Sequence, residues 1–289
     1  MKWTSGDRSN IEDARGSSGG GMGIRAGGLG VGGLLLALVL SWATGIDFLS
    51  LLGGGGSVVP PSADVQPSGP PAKTSAAEES AVDMVDAVMD DAQSTWEQVL
   101  GGRYRRTTAV LFRDAYQSGC GFAQSATGPF YCPADHKVYL DLGFFGELQS
   151  RFGAPGDFAR AYVIAHELGH HVQSLMGTDA QVRRAQSARP DQQNALSVAL
   201  ELQADCYAGV WGHHAAQGGG AGSHRVTIET GDVEAGLKAA AAIGDDRIQR
   251  MQTGHVAPDR FTHGSSEQRV TWFRRGLDSG DPNACNTFK

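Results

Sequence analysis

Hydrophobic positions along the chain repeat with two different periods. From Ala81 to Leu100 the apolar residues Val82, Val85, Val88, Met89, Trp96 and Val99 recur at helical spacing, which predicts an amphipathic helix ending at Gly101-Gly102. TTAVLFRDAY (107–116) and KVYLDLGFF (137–145) alternate apolar with polar residues and predict strands. Helical spacing returns in AYVIAHELGHHVQSLMG (161–177), with Asp157 after Gly156 as the expected N-cap and Gly177 as the stop. A further helix is expected from about Gln192 to His214. After the glycine-rich GGGAGSH (218–224) come two more helical stretches, GDVEAGLKAAAAIGDDRIQRM (231–251) and FTHGSSEQRVTWFRRGL (261–277). Helices outnumber strands, so the expected class is α+β, mainly helical with a small antiparallel sheet.

The first 80 residues read differently. Glycine dominates 16–33, and GGGGSVVPPSADVQPSGPPAKTSAAEES (53–80) has no apolar period with which to offset the entropy of ordering. Between them AGGLGVGGLLLALVLSWATGI (26–46) carries no charge over 21 residues, about 31 Å as a helix, or one bilayer. Lys2, Arg8, Arg15 and Arg25 precede it, and the next basic residue is Lys73, so the positive-inside rule puts the N-terminus in the cytoplasm. The expected organisation is therefore a cytoplasmic segment 1–25, a single-pass transmembrane helix 26–46, a flexible linker 47–80 and an extracytoplasmic folded domain 81–289. A cleaved signal peptide and a buried core helix are the rival readings of 26–46.

Composition adds two constraints. The net charge of −7 is scattered, with no basic stripe or aromatic platform, so no nucleic-acid partner is expected; oligomeric state is left open. The four cysteines suit an oxidising compartment, with Cys120–Cys132 closing a short loop and Cys206–Cys285 left as a long-range pair.

The chemistry lies in HELGH (166–170), an H-E-x-x-H on a helix. A spacing of four puts His166 and His170 on one face, able to share an ion, while Glu167 stands about 100° round, placed to hold a water rather than to ligate. Neutral imidazoles with an open fourth position suit Zn²⁺, and Glu167 is the expected general base. Gln173 and Met176 stand where the metzincin extension needs Gly and His. The remaining source of a third ligand is a carboxylate on a second helix, and ALELQADCYAG supplies Glu201, with Asp205 one turn on to accept the N–H of a ligand imidazole. Asp179 and Asp191 compete for the ligand role but sit in turn-like surroundings.

His171 faces away from the ion and is expected to be packed. His213, His214 and His224 are expected in solvent. His263, on the turn FTHGSS, is the candidate donor to a developing oxyanion, with Tyr162 and Tyr207 as alternatives and Arg269 bracing the turn or a substrate carbonyl. KVYLDLGFF is either a sheet edge that pairs with a peptide substrate or an interior strand.

HELGHHVQ, ELQADCYAGVW, GPFYCPADHKVYLDLGFF and FTHGSSEQR, together with NIEDARG (10–16), resemble the neutral zinc metallopeptidase family of bacteria. The resemblance covers most of the chain outside 53–80. It implies a membrane-anchored, zincin-like peptidase acting on peptides or proteins, with His166, His170 and Glu201 binding zinc and Glu167 as catalytic base. Two other functions stay open: a scaffold holding a structural zinc, and a zinc amidase acting on cell-wall peptides.

Overall fold

The structure, a computed structural model, describes residues 1–16, 74–125, 128–218, 225–229 and 231–288. Among them no helix is long and apolar enough to cross a membrane, and the expected span 26–46 lies outside them.

Among the described residues eight α-helices pack with small sheets, which agrees with the α+β expectation. Helix α1 (Ala76–Leu100) starts five residues before the apolar pattern does, because Ser75 caps it by accepting the Glu78 N–H. One face of α1, from Val82 to Trp96, is fully buried in the core.

The main sheet is mixed rather than antiparallel. Its order is β2 (Ile11–Asp13), β3 (Ala109–Phe112), β7 (Lys137–Asp141), β6 (Phe130–Cys132); β2 and β7 run parallel to β3, and only β6 is antiparallel. Each predicted strand is also shorter than its alternation suggests. The first breaks after Phe112, and its remainder forms a hairpin of β4 (Ala115–Ser118) with β5 (Gly121–Gln124). The second stops at Asp141, whose carboxylate accepts the Gly143 N–H at 2.8 Å and turns the chain into helix α2 (Gly143–Ser150). KVYLD is thus an interior strand, and the edge beside the central helix is β6. That edge is tied to the hairpin by the Cys120–Cys132 disulfide.

Residues 1–16 belong to this unit. β2 supplies the parallel edge of the sheet, and β1 (Lys2–Trp3) pairs antiparallel with β8 (Val226–Thr227). Setting 1–25 apart as a separate segment missed this, because strands of two and three residues carry no periodic signal.

Helix α3 (Asp157–Met176) runs through the middle, buried along most of its length. Its N-cap is Gly156; Asp157 is the first helical residue and accepts the Trp3 indole N–H at 3.3 Å. Helix α4 (Thr178–Ala188) follows the left-handed Gly177, and α5 (Gln193–Ala216) lies across α3. Two shorter helices, α6 (Asp232–Ala242) and α7 (Asp245–Thr253), are separated by Gly244, where a Cβ would stand 2.4 Å from the Ser266 amide nitrogen. The last helix, α8 (Ser266–Ser279), opens on a capping box between Ser265 and Gln268. It packs against α5 with almost no separation: a Cβ on Gly276 would lie 1.9 Å from the Cys206 carbonyl oxygen, and one on Gly209 2.1 Å from that of Phe273. The Cys206–Cys285 disulfide fastens the tail to the same stretch of α5.

Candidate metal centre

Glycine brings α3 and α5 together. Gly169, inside HELGH, lies so near α5 that a Cβ there would be 2.9 Å from the Ala204 carbonyl oxygen and 3.0 Å from its Cα. That approach lets side chains one turn away on each helix converge. His166 Nε2 is 3.2 Å from Glu201 Oε2, His170 Nε2 is 3.5 Å from Glu201 Oε1, and the two imidazoles stand edge to face. Ligands held about 2.0–2.1 Å from a tetrahedral ion are about 3.4 Å apart, so the separations fit a zinc ion between the three groups. Among the described residues, His166, His170 and Glu201 are the cluster able to hold a metal. Their side-chain exposure rises from 7% at His166 to 17% at His170 and 19% at Glu201, so the site opens toward the last two.

Each of the two imidazoles is oriented by its other nitrogen. His166 Nδ1 lies 2.8 Å from Asp205 Oδ1, on the same helix face as Glu201 and fully buried. His170 Nδ1 lies 2.8 Å from Gln173 Oε1, and Gln173 is fixed in turn by donating to the Leu200 carbonyl and to Gln203. Gln173 had signalled only the absence of a metzincin extension; its spacing of three from His170 is the helical signal that would have found it.

Asp205 is the hub of a buried network. Arg269 Nε and Nη2 donate to its two oxygens at 2.8 and 2.9 Å, and the Tyr162 hydroxyl donates to Oδ1 as well. Burial alone would raise the Asp205 pKa, but the guanidinium and the His166 ring outweigh it and hold the group ionised, below its ordinary value. Burial likewise opposes a charge on His166, yet Asp205 and Glu201 overcome it and push the imidazole up to about 10 when no metal competes. Glu201 is driven below the usual carboxylate range by His170 and His166, against its burial. Glu201 thus faces both imidazoles, while Asp205 backs His166 from the other side of its ring.

The network reassigns two candidates. Tyr162, wholly buried and donating to Asp205, is not an oxyanion donor. Arg269 braces Asp205 and the Ile243 carbonyl rather than the turn or a substrate. Tyr207 packs edge to face on Trp96 in a separate apolar cluster. His171 is packed as expected, with Nε2 2.7 Å from the Arg105 carbonyl oxygen and Nδ1 3.1 Å from the Tyr131 hydroxyl. Asp179 accepts from Arg183 and its own helix start, away from the cluster. Asp191 is exposed in a short 3-10 turn, and His213 bonds the Leu277 carbonyl rather than standing free in solvent.

Glu167 is buried on α3 beside His166, at 7% exposure. His263 reaches the site from the other side. Its turn is held by Asp245, whose Oδ2 accepts the backbone N–H of Thr262, His263 and Gly264 at 2.6, 2.7 and 3.1 Å. Asp245 Oδ1 lies 3.2 Å from His263 Nδ1. Gly264, at φ +92°, sits against Leu202 and Val198, so the turn rests on the helix that carries Glu201. Although the His263 side chain is 53% exposed, Asp245 and the nearby Glu201 raise its pKa. Asp245, eighteen residues away, has no sequence signal that links it to His263.

Residues 1–288 match the family described as "Putative neutral zinc metallopeptidase". Over 302 aligned residues the chain is 45% identical to "Uncharacterized protein YpfJ" of Escherichia coli K12, covering all of this chain and 99% of that one. It is 44% identical over 208 residues to "Uncharacterized protein Rv2575" of Mycobacterium tuberculosis H37Rv, covering 71% of this chain and 69% of that protein. No solved structure matches it. The chain belongs to this metallopeptidase family.

Proposed function

We propose that this family member is a zinc-dependent peptidase that hydrolyses peptide bonds with Glu167 as general base, associated with a membrane through residues 26–46. The observation that carries the reading is the convergence of His166 and His170 of α3 with Glu201 of α5 at tetrahedral spacing, on a helix pair that also presents Glu167.

His166, His170 and Glu201 would hold the ion. Zn²⁺ supplies Lewis acidity, which polarises a carbonyl and makes water a competent nucleophile near neutral pH. Glu167 takes the proton from the attacking water and passes it to the leaving amine. His263, whose pKa is raised by Asp245, donates to the oxygen on which negative charge develops. Asp205 and Gln173 hold the two ligand rings in register. An extended substrate finds a sheet edge at β6, next to α3.

The test is cleavage of a denatured protein and a quenched peptide library by the full-length chain, beside Glu167→Gln. Zinc content should be unchanged in the variant and turnover should fall by about 10²–10⁴. Equal zinc with no cleavage by either protein would reduce the site to a structural one. Activity confined to cell-wall peptides would make it an amidase.

A further inference from the structure

Two of the basic residues that precede the apolar segment 26–46, Arg8 and Arg15, are paired with acids of the folded unit. Arg15, with a side chain 3% exposed, pairs with Asp13 at 2.6 Å and with Glu79 and Glu78 of α1 at 2.9 and 3.2 Å. Arg8 pairs with Asp83 and Glu79, both at 2.7 Å, and Lys2 with Glu229 at 2.6 Å. Between them Asn10, 4% exposed, donates from its amide to Asp86 at 3.1 Å and accepts from Gln93 at 2.9 Å. These contacts hold β2 against β3, a strand buried at all four residues. Without β2, β3 would present an open edge of unpaired backbone groups from the middle of the core.

A membrane topology has to respect that pairing. Residues 11–13 and 109–111 are neighbours in one sheet, so the chain between them crosses a bilayer an even number of times or not at all. Its uncharged apolar stretch, 26–46, is long enough for one crossing. From 53 to 73 the chain reads GGGGSVVPPSADVQPSGPPAK, which supplies no second span. Two crossings are unavailable and one is forbidden. The positive-inside argument weakens for the same reason: two of its four charges, Arg8 and Arg15, pair with acids of α1.

We propose that residues 1–16 and 74–288 lie on the same face of any membrane the chain meets. The N-terminal segment is a structural strand of the domain that carries the metal site, not a tail on the opposite side. This goes beyond the peptidase reading and does not depend on it.

The full-length chain carrying one short tag at each end, in sealed membranes of defined orientation, is exposed to protease with and without detergent. Both tags should be digested together or protected together. In an untagged chain, Lys2→Cys and Thr227→Cys place thiols on directly opposed antiparallel positions, within disulfide range. With a protease site inserted between 53 and 68, the two fragments should stay joined until reductant is added. Opposite fates for the two tags, or fragments that separate without reductant, would overturn the proposal.

Discussion

Replacing Arg269 by methionine removes the guanidinium but keeps much of the apolar stem's volume. Asp205, with no solvent exposure, then loses N–H donors at 2.8 and 2.9 Å, and the Ile243 carbonyl loses one at 3.3 Å. Removing one partner of a buried ion pair costs about 3–5 kcal/mol, because the remaining charge is left uncompensated. At about 2–4 °C per kcal/mol for a chain of this size, the melting temperature should fall by about 6–20 °C. The metal-free protein should sit at the low end, since a protonated His166 still pairs with Asp205 at 2.8 Å. Zinc binding pays for that compensation. Arg269 is one of the influences that lower the His166 pKa, so without it the ring holds its proton more tightly. Each unit of that shift weakens zinc about tenfold, and loss of an outer-shell partner typically costs 10–100-fold in metal affinity. Thermal melts in chelator and a zinc competition titration read the two effects separately. The double variant Arg269→Met/Asp205→Leu should recover most of the stability but none of the zinc affinity, because His166 then has no orienting acceptor. A single variant that melts within about 2 °C of the wild type and binds zinc equally well would refute the assignment of Arg269 as the counter-ion of this network.

Gly169→Ala places a methyl 2.9 Å from the Ala204 carbonyl oxygen, so α3 and α5 must part; a loss of about 1–3 kcal/mol and at least tenfold weaker zinc binding should appear in the same two assays. His263→Ala should leave zinc stoichiometry intact and lower kcat by about 10²–10³, with Asp245→Asn following it in part; an unchanged kcat in both would remove His263 from the reaction. Zinc affinity should rise about tenfold per pH unit from pH 6 to 8. The His166 pKa is raised to about 10 without metal, so binding displaces one proton throughout that window, and a pH-independent affinity would show the ring to be neutral already.

The parts of the site legible in the sequence are those encoded by helical spacing. His166, Glu167 and His170 fall on α3, and Glu201 and Asp205 on α5, because a period of 3.6 fixes which residues share a face whatever the rest of the chain does. Ser265 and Gln268 are equally local and form their capping box. The cysteines pair 120 with 132 and 206 with 285, as a short loop and a long-range remainder suggest. Asp245 and Arg269 were harder, since each acts on a partner 18 or more residues away through a contact that only the packed helices create.

The N-terminal sixteen residues show why charge can mislead. Four basic residues before an apolar stretch have two physical readings: a cytoplasmic flank, or one half of a set of ion pairs whose other half lies elsewhere in the chain. The acidic partners were present in the sequence as Glu78, Glu79 and Asp83, on one side of a helix whose opposite face is apolar. Asp83 follows Glu79 by four residues and Glu78 by five, so the three acids cluster along one side of α1. A cluster of carboxylates ordinarily repels itself. Here Arg8 and Arg15 bridge it, and the backbone between them is held extended along β3. The same stretch that looked like a targeting signal therefore completes the sheet on which α1 and α3 rest. Truncating the chain to begin after the apolar segment would strip β3 of its partner, and the full-length chain is the proper object for every metal and activity measurement above.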